Sequence, residues 1–341
     1  MPPLPADSIH ARACKLKCEK ILTRPSEVET FGIDESWIEL TGSPLLKERT
    51  PHEIADEIRN TVKSEVGLTV SIGISFNKIF AKLGSDMKKP DAVTEIGRDT
   101  FRDQVWPLPV SDLLYVGRAT AEKLGRYCIR TIGDLANTER DILRSLLGIN
   151  GEKIWAYANG LDASRVMPCD YTPPIKSIGH GITCTADLVS ESEVRGVFLE
   201  LSQDIGLKLR KQGLAANGVR ITVRDNTLSH RQYQCKLPFP TQSYLEIYDA
   251  GIDMFHRRYS WSNNIRSLTI SAIDLISADT PVQLDLWTDM SKHKRRIRLE
   301  ETIEDIRRRF GLHAINFAAA GSMKIPVQSD IEYKMPSVMY Q

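Results

Sequence analysis

The sequence predicts a multidomain protein of mixed class: an α/β layer, a small helical domain, and an α+β domain with an antiparallel sheet. Three observations lead there. Residues 31–86 alternate short β-branched or apolar runs with amphipathic helical stretches, and residues 110–163 read as short helices turning at Gly117, Gly133 and Gly148. Beyond a proline-bearing stretch at 171–176, strand-like segments enclose two longer helices. With 341 residues, 41% of them hydrophobic and 26% charged, the chain is long enough to bury several cores.

The elements follow in order. Residues 8–22 read as a helix, and 31–40 as two short strands separated by Asp34 and Glu35. A helix over 51–66 has proline in its first turn, 68–74 is a nearly continuous apolar run suited to a buried strand, and 77–86 is a further helix. Composition changes near 106–109, where the small helical domain begins, and 171–176 with Pro173 and Pro174 reads as a stiff linker. Strands are expected at 182–188, 218–225, 231–237 and 267–276, with helices at 191–212 and 244–258. A polar tail follows, with one late helix over 297–310. The domain limits are therefore 1–107, 108–170, 171–277 and 278–341.

Several function classes are excluded. No stretch reaches the roughly 18 apolar residues of a membrane span, and the opening MPPLPADSIHARACKLK lacks a secretory signal's apolar core, so the expected location is the cytoplasm. Six dispersed cysteines in so long a chain read as free thiols. His10, Cys14 and Cys18 align on a helix face but find no fourth ligand for structural zinc. No nucleophile elbow or dinucleotide fingerprint is present, and G-I-N-G-E-K lacks the Walker spacing.

The net charge is only +1, so charge distribution carries the information. Residues 1–60 hold eleven acids against eight bases, whereas 206–236 hold seven bases against Asp225 alone. Opposite blocks in one chain suit an acidic centre for metal and a basic arm for phosphate, a solvated charged face being the alternative.

The sharpest local feature is FGIDESWIEL at 31–40, where Asp34 and Glu35 stand side by side. Consecutive strand side chains point to opposite faces, so adjacent carboxylates converge on one ion only where a strand ends or turns. Carboxylate oxygens suit Mg²⁺, the ion of phosphoryl-transfer centres.

With the strand and threonine that follow, FGIDESWIELTGS resembles the palm motif of the Y-family, DinB/UmuC-like (polymerase IV type) bacterial translesion DNA polymerases. The resemblance continues in order. VSIGISFNKIFAKLGSDMKKP at 70–90 is similar to the family's Asn-Lys signature, with Gly84 in place of the usual alanine. VGRATAEKLGRYCIRTIGDLA at 116–136 resembles the thumb helix-hairpin-helix, with Tyr115 where the hairpin's first glycine usually stands, and KSIGHGITC at 176–184 resembles the start of the little finger.

The resemblance implies a partial palm, a helical thumb, an α+β little finger and an extended tail. It assigns Asp34 to the family's metal-binding aspartate and Glu35 to its active-site carboxylate, with two Mg²⁺ ions expected in the complete site. Lys89 corresponds to the lysine that reaches the triphosphate of the incoming dNTP, a role a flexible point cation suits. Asn77, Lys78 and Lys82 are assigned to the DNA side of their helix, where Lys78 and Lys82 share a face; a solvated face remains the alternative for that pair.

Val116 and Gly117 offer backbone N–H groups to a DNA phosphate, and Lys176 and Ser177 open the third domain. Gly148, in LGINGEK, is either a second such hairpin or a plain helix C-cap. Arg220 and Arg224 face one side of a strand, suiting phosphate contacts or protecting an edge. QLDLW, with Gln283, Leu284, Leu286 and Trp287 as its contacts, resembles the peptide by which bacterial polymerases hold the sliding clamp.

Family members open with a strand carrying Asp-x-Asp and an aromatic steric gate, then a fingers domain, and none of these has a counterpart in this sequence. The metal site is accordingly expected to be incomplete. Two readings stay open: a translesion polymerase taking primer-template DNA and dNTPs as a monomer, or a catalytically silent module that holds DNA and the clamp.

Overall fold

The computed structural model describes residues 28–32, 34–281, 290–311 and 314–317; the helix expected at 8–22 lies outside them. They form two compact units, one ending at Pro173 and one beginning at Pro174. No helix among the described residues is long and apolar enough to cross a membrane.

The first unit opens with an antiparallel hairpin, β1 (Val28–Phe31) and β2 (Glu35–Ile38), in which Phe31 stands opposite Glu35. Glu35 is thus the first residue of β2 rather than part of the turn, because its backbone pairs across to Phe31; Asp34 alone of the two stays in the turn. Helix α1 (Pro51–Val66) starts at a capping box between Thr50 and Glu53 and ends at Gly67 in the left-handed region. Its apolar stripe of Ile54, Ile58 and Val62 buries Val28 of the hairpin.

Strand β3 (Ile72–Ser75) pairs in parallel with β4 (Val93–Ile96), and α2 (Lys78–Met87) connects them. The strand expected from residue 68 begins at Ile72 because β4 offers only four partners; Leu68 and Val70 pack on α1 instead. Neither β4 nor the short α3 (Phe101–Val105) was anticipated. Gly73 sets the spacing between β3 and α2. A Cβ at Gly73 would lie 1.9 Å from the Ala81 carbonyl oxygen and 2.6 Å from the Ser85 nitrogen, so only glycine lets strand and helix approach this closely.

Four helices follow: α4 (Arg118–Gly125), α5 (Ile132–Asn137), α6 (Arg140–Leu147) and α7 (Ile149–Ala158). They share one apolar cluster with Ile79, Phe80 and Leu83 of α2 and Ile96 of β4, so the core continues across residues 107 and 108, where the composition changes. Gly133, expected at a turn, is the second residue of α5, where a Cβ would stand 3.0 Å from that of Trp106.

The second unit is a four-stranded antiparallel sheet in the order β5-β8-β6-β7, with β5 (Ser177–Leu188), β6 (Leu214–Asp225), β7 (His230–Thr241) and β8 (Ile265–Ser277). Helices α8 (Glu191–Gln212) and α9 (Tyr244–Arg258) cover one face and fall where the sequence predicts them. Val219, Ile221 and Val223 of β6 meet Leu201, Ile205 and Phe255 in that core. Each strand is longer than the apolar run that announces it, since hydrogen bonding to a neighbour extends beyond the buried positions.

Helix α10 (Met290–Phe310) starts seven residues before its expected boundary at 297 and lies against α8 and α9 through polar contacts. Glu300, with 0% exposure, accepts from the Ser243 hydroxyl at 2.6 Å and from the backbone N–H groups of Tyr244 and Leu245 at 3.1 and 3.2 Å. A carboxylate therefore seats on the first turn of α9, with Arg210 Nη1 donating to it at 3.1 Å. Burial raises the Glu300 carboxyl above its usual range, against the opposing pull of these donors.

Two substitutions test these contacts. Gly73→Ala should cost about 3 kcal/mol or more in chemical denaturation, while Gly84→Ala, whose Cβ would meet its nearest atoms at 3.3 Å, should cost far less. Glu300→Ala leaves the α9 first turn without its acceptor and weakens the Arg210 ion pair, and should lower the second unit's stability by about 3 kcal/mol.

Candidate nucleic-acid interface and carboxylate hairpin

In the first unit the β1–β2 hairpin is strapped to α2 by two lysines one helical turn apart. Lys78 Nζ donates to Glu29 of β1 at 2.7 and 2.8 Å, and Lys82 Nζ donates to Glu35 of β2 at 2.7 Å. Trp37 Nε1 adds a hydrogen bond to the Lys78 carbonyl at 3.0 Å, and the Lys78 ammonium lies 4.4 Å from the centre of the Trp37 ring. With side chains only 13% and 15% exposed, Lys78 and Lys82 are committed inside the unit. Asn77 is likewise structural, its Oδ1 capping α2 by accepting from the Phe80 N–H at 2.8 Å.

Charge alternates onward from the hairpin. Lys82 also donates to Asp86 at 2.7 Å, and Asp86 pairs with Lys89 at 2.7 Å. Burial alone would raise the Asp86 carboxyl, but hydrogen bonds from Lys82 and Lys89 hold it below its ordinary range. Burial pulls the Lys82 ammonium down, and its bonds to Asp86 and Glu35 carry it above the usual lysine value. Lys89 is more than half exposed, so it is free to exchange a carboxylate for a phosphate.

The thumb-like hairpin presents backbone. Val116 is buried and fixes the turn, while Gly117 is exposed, and nothing lies within 4 Å of where its Cβ would stand. No side chain caps the N-terminus of α4, so its first N–H groups are available to an anion. Tyr115 adopts φ +70°, the left-handed conformation suited to glycine, and its ring lies 5.9 Å from that of Tyr157. At Gly148, φ +64°, the last turn of α6 runs directly into α7, so this glycine is at once C-cap and N-cap.

In the second unit the sheet face opposite the helices is polar. Register places Ser271, Arg220 and Gln234 in one row, Thr269, Thr222 and Gln232 in the next, and Ser267, Arg224 and His230 in a third. Arg224 is exposed and Arg220 half-buried. Lys176 and Ser177 are exposed where β5 begins. Sequence reasoning found the two arginines but missed the hydroxyl and amide side chains between them. Their signal was the alternation in β8, where Ser267, Thr269 and Ser271 interleave with buried Leu268, Ile270 and Ala272. Within the basic block, Lys208 pairs with Asp204 at 2.7 Å and Arg210 with Glu300 and Glu304, so neither is a free cation. Gln283, Leu284, Leu286 and Trp287 lie outside the described residues.

Comparison with known proteins decides the family. Residues 3–86 match the impB/mucB/samB family, and residues 175–286 match its C-terminal domain. A DNA polymerase IV of Acetivibrio thermocellus is 41% identical over 288 residues, 84% of this chain and 72% of the relative. One from Clostridium kluyveri is 33% identical over 292 residues, 83% of this chain and 72% of the relative. The chain belongs to the Y family of DNA polymerases. A solved Y-family DNA polymerase chimera, Dbh-Dpo4-Dbh, shares the fold with TM-score 0.63 at 18% identity, covering 79% of this chain and 77% of its own.

Among the described residues of this Y-family chain, the donor set does not by itself make a two-ion site. Asp34 is exposed at the turn and Glu35 is held by Lys82, and among the described residues no three His, Cys, Asp or Glu side chains converge. Hard divalent ions need more oxygen ligands than this pair supplies.

Lys82→Met should therefore destabilise the chain by about 1 kcal/mol at neutral pH, a figure reduced by solvent screening. Because Lys82 helps depress Asp86, that loss should be present above 3.8, the ordinary aspartate value, and vanish as pH falls through the lower folded value. Denaturation of both proteins across this range checks it.

Proposed function

We propose that this chain is a translesion DNA polymerase, transferring nucleotides to a primer 3′ end under template direction in DNA repair and damage tolerance. The observation that carries the reading is the Asp34–Glu35 pair at the end of a hairpin clamped onto α2, in a chain of this family. In this reading Asp34 and Glu35 are the carboxylates of the reacting centre and Lys89 meets the triphosphate of the dNTP. The backbone at Val116 and Gly117 holds a DNA phosphate. The sheet rows around Arg220 and Arg224, with Lys176 and Ser177, contact backbone without reading sequence, as an enzyme that moves along DNA requires.

Lys78 and Lys82 serve by positioning the hairpin, and Asn77 by capping the helix that carries them. Gln283, Leu284, Leu286 and Trp287 hold the sliding clamp, and the protein works as a cytoplasmic monomer. A second reading, a silent module that holds primer-template DNA and the clamp, is supported by Glu35 being held by Lys82 and by the lack of a third converging carboxylate among the described residues.

Primer extension on undamaged and abasic templates in magnesium buffer, with DNA binding measured in parallel, distinguishes them. The polymerase reading expects extension that Asp34→Asn and Glu35→Gln each lower by at least about 100-fold with DNA affinity unchanged. Tight binding without extension selects the module. Extension that survives both substitutions removes these carboxylates from the chemistry.

A further inference from the structure

Helix α10 carries two kinds of charge. Those facing the unit are paired: Arg296 with Asp249 at 2.7 Å, and Glu300 and Glu304 with Arg210, while His293 Nδ1 lies 2.9 Å from a Glu246 carboxylate oxygen. Arg307 donates to Gln203 at 2.7 Å. Lys292, Lys294, Arg295 and Arg298 are exposed, and none forms an ion pair among the described residues.

This arrangement works against the helix. Lys294 and Arg298 are four residues apart, and Arg295 lies three from both Lys292 and Arg298, so like charges repel along one surface. Lys292 stands in the first described turn, which contains no acid and where the helix dipole disfavours a cation. A cluster of exposed like charges with no ion pair among the described residues suits a ligand of opposite charge. Its chemistry is that of a polyanion. Leu299 is the lone large apolar side chain exposed on this half of α10, too little for a protein-docking helix that needs anchors at helical spacing. The four cations span about 9 Å of helix axis, which matches a few successive phosphates of one strand.

We propose that this face of α10 is a second nucleic-acid backbone site, separate from the polar sheet face. α10 lies on the helix side of the sheet, whereas Arg220 and Arg224 face the other side, so one short duplex on the sheet does not reach it. The site therefore takes a further segment of the same DNA. The inference rests on the DNA-binding reading above, and the controls keep the two separable.

The full chain and a Lys292→Gln, Lys294→Gln, Arg295→Gln, Arg298→Gln variant are titrated with a long DNA duplex at several salt concentrations. Arg220→Gln, Arg224→Gln is titrated alongside. The fourfold variant should bind more weakly, with a log affinity against log salt slope shallower by about 3 to 4. A charge-preserving variant (Lys292→Arg, Lys294→Arg, Arg295→Lys, Arg298→Lys) should keep the parental slope, which separates charge from folding. An unchanged slope in the fourfold variant, with a changed slope in the sheet variant, overturns the second site and leaves the DNA-binding reading intact. No DNA binding by the parent overturns both. Loss of binding to an acidic protein but not to DNA in the fourfold variant also overturns the proposal, by reassigning the face to protein.

Discussion

The first unit depends on the pair of lysines that tie its hairpin to helix α2. A two-stranded hairpin is at best marginally stable alone. Here Lys78 and Lys82, spaced to share a face, reach one carboxylate on each strand. The hairpin that carries Asp34 is thus held in place by charge as well as by Val28 against α1. The same pairing engages Glu35, so the strap and the candidate chemistry share a side chain. Anything that moves α2 moves the carboxylates. That gives Gly73, which sets how closely α2 lies on β3, an influence well beyond its own position.

The second unit uses charge in two opposite ways. At the α8–α9–α10 contact, Arg210 and Glu300 are buried together, and the cost of desolvation is partly offset because Glu300 also meets a helix first turn and a hydroxyl. Arg224 on the sheet face and the cations on the outer side of α10 are exposed and form no ion pair among the described residues, so they weigh little on stability and remain available to phosphate. A run of bases in the sequence does not separate these two fates. Lys208, Arg210, Arg220 and Arg224 lie within one basic block, yet Lys208 and Arg210 are consumed internally.

Much of the fold was legible because it rests on local signals. Apolar patterning placed α1, with proline in its first turn, and α8 and α9, and strand-like runs located the four long strands. Strand β4 and helix α3 are too short to carry a period. The start of α10 escaped notice because its buried face is mostly polar, so no apolar rhythm announces it.

For the site, the sequence by itself determined which groups are present: adjacent carboxylates beside a turn, a glycine before a helix, and arginines of equal parity on a strand. These are matters of residue type and short spacing, and motif order along the chain carried the family. Tertiary structure decided what those groups do. Glu29 meets Lys78 across 49 positions and Arg210 meets Glu300 across 90, and no local rule reaches that far. Register alone set Ser271 beside Arg220, because a strand's neighbours come from pairing rather than from chain order. Whether a cation is a strut or a free contact follows from such long-range partners, since electrostatic energy depends on distance and solvent access rather than on separation in sequence.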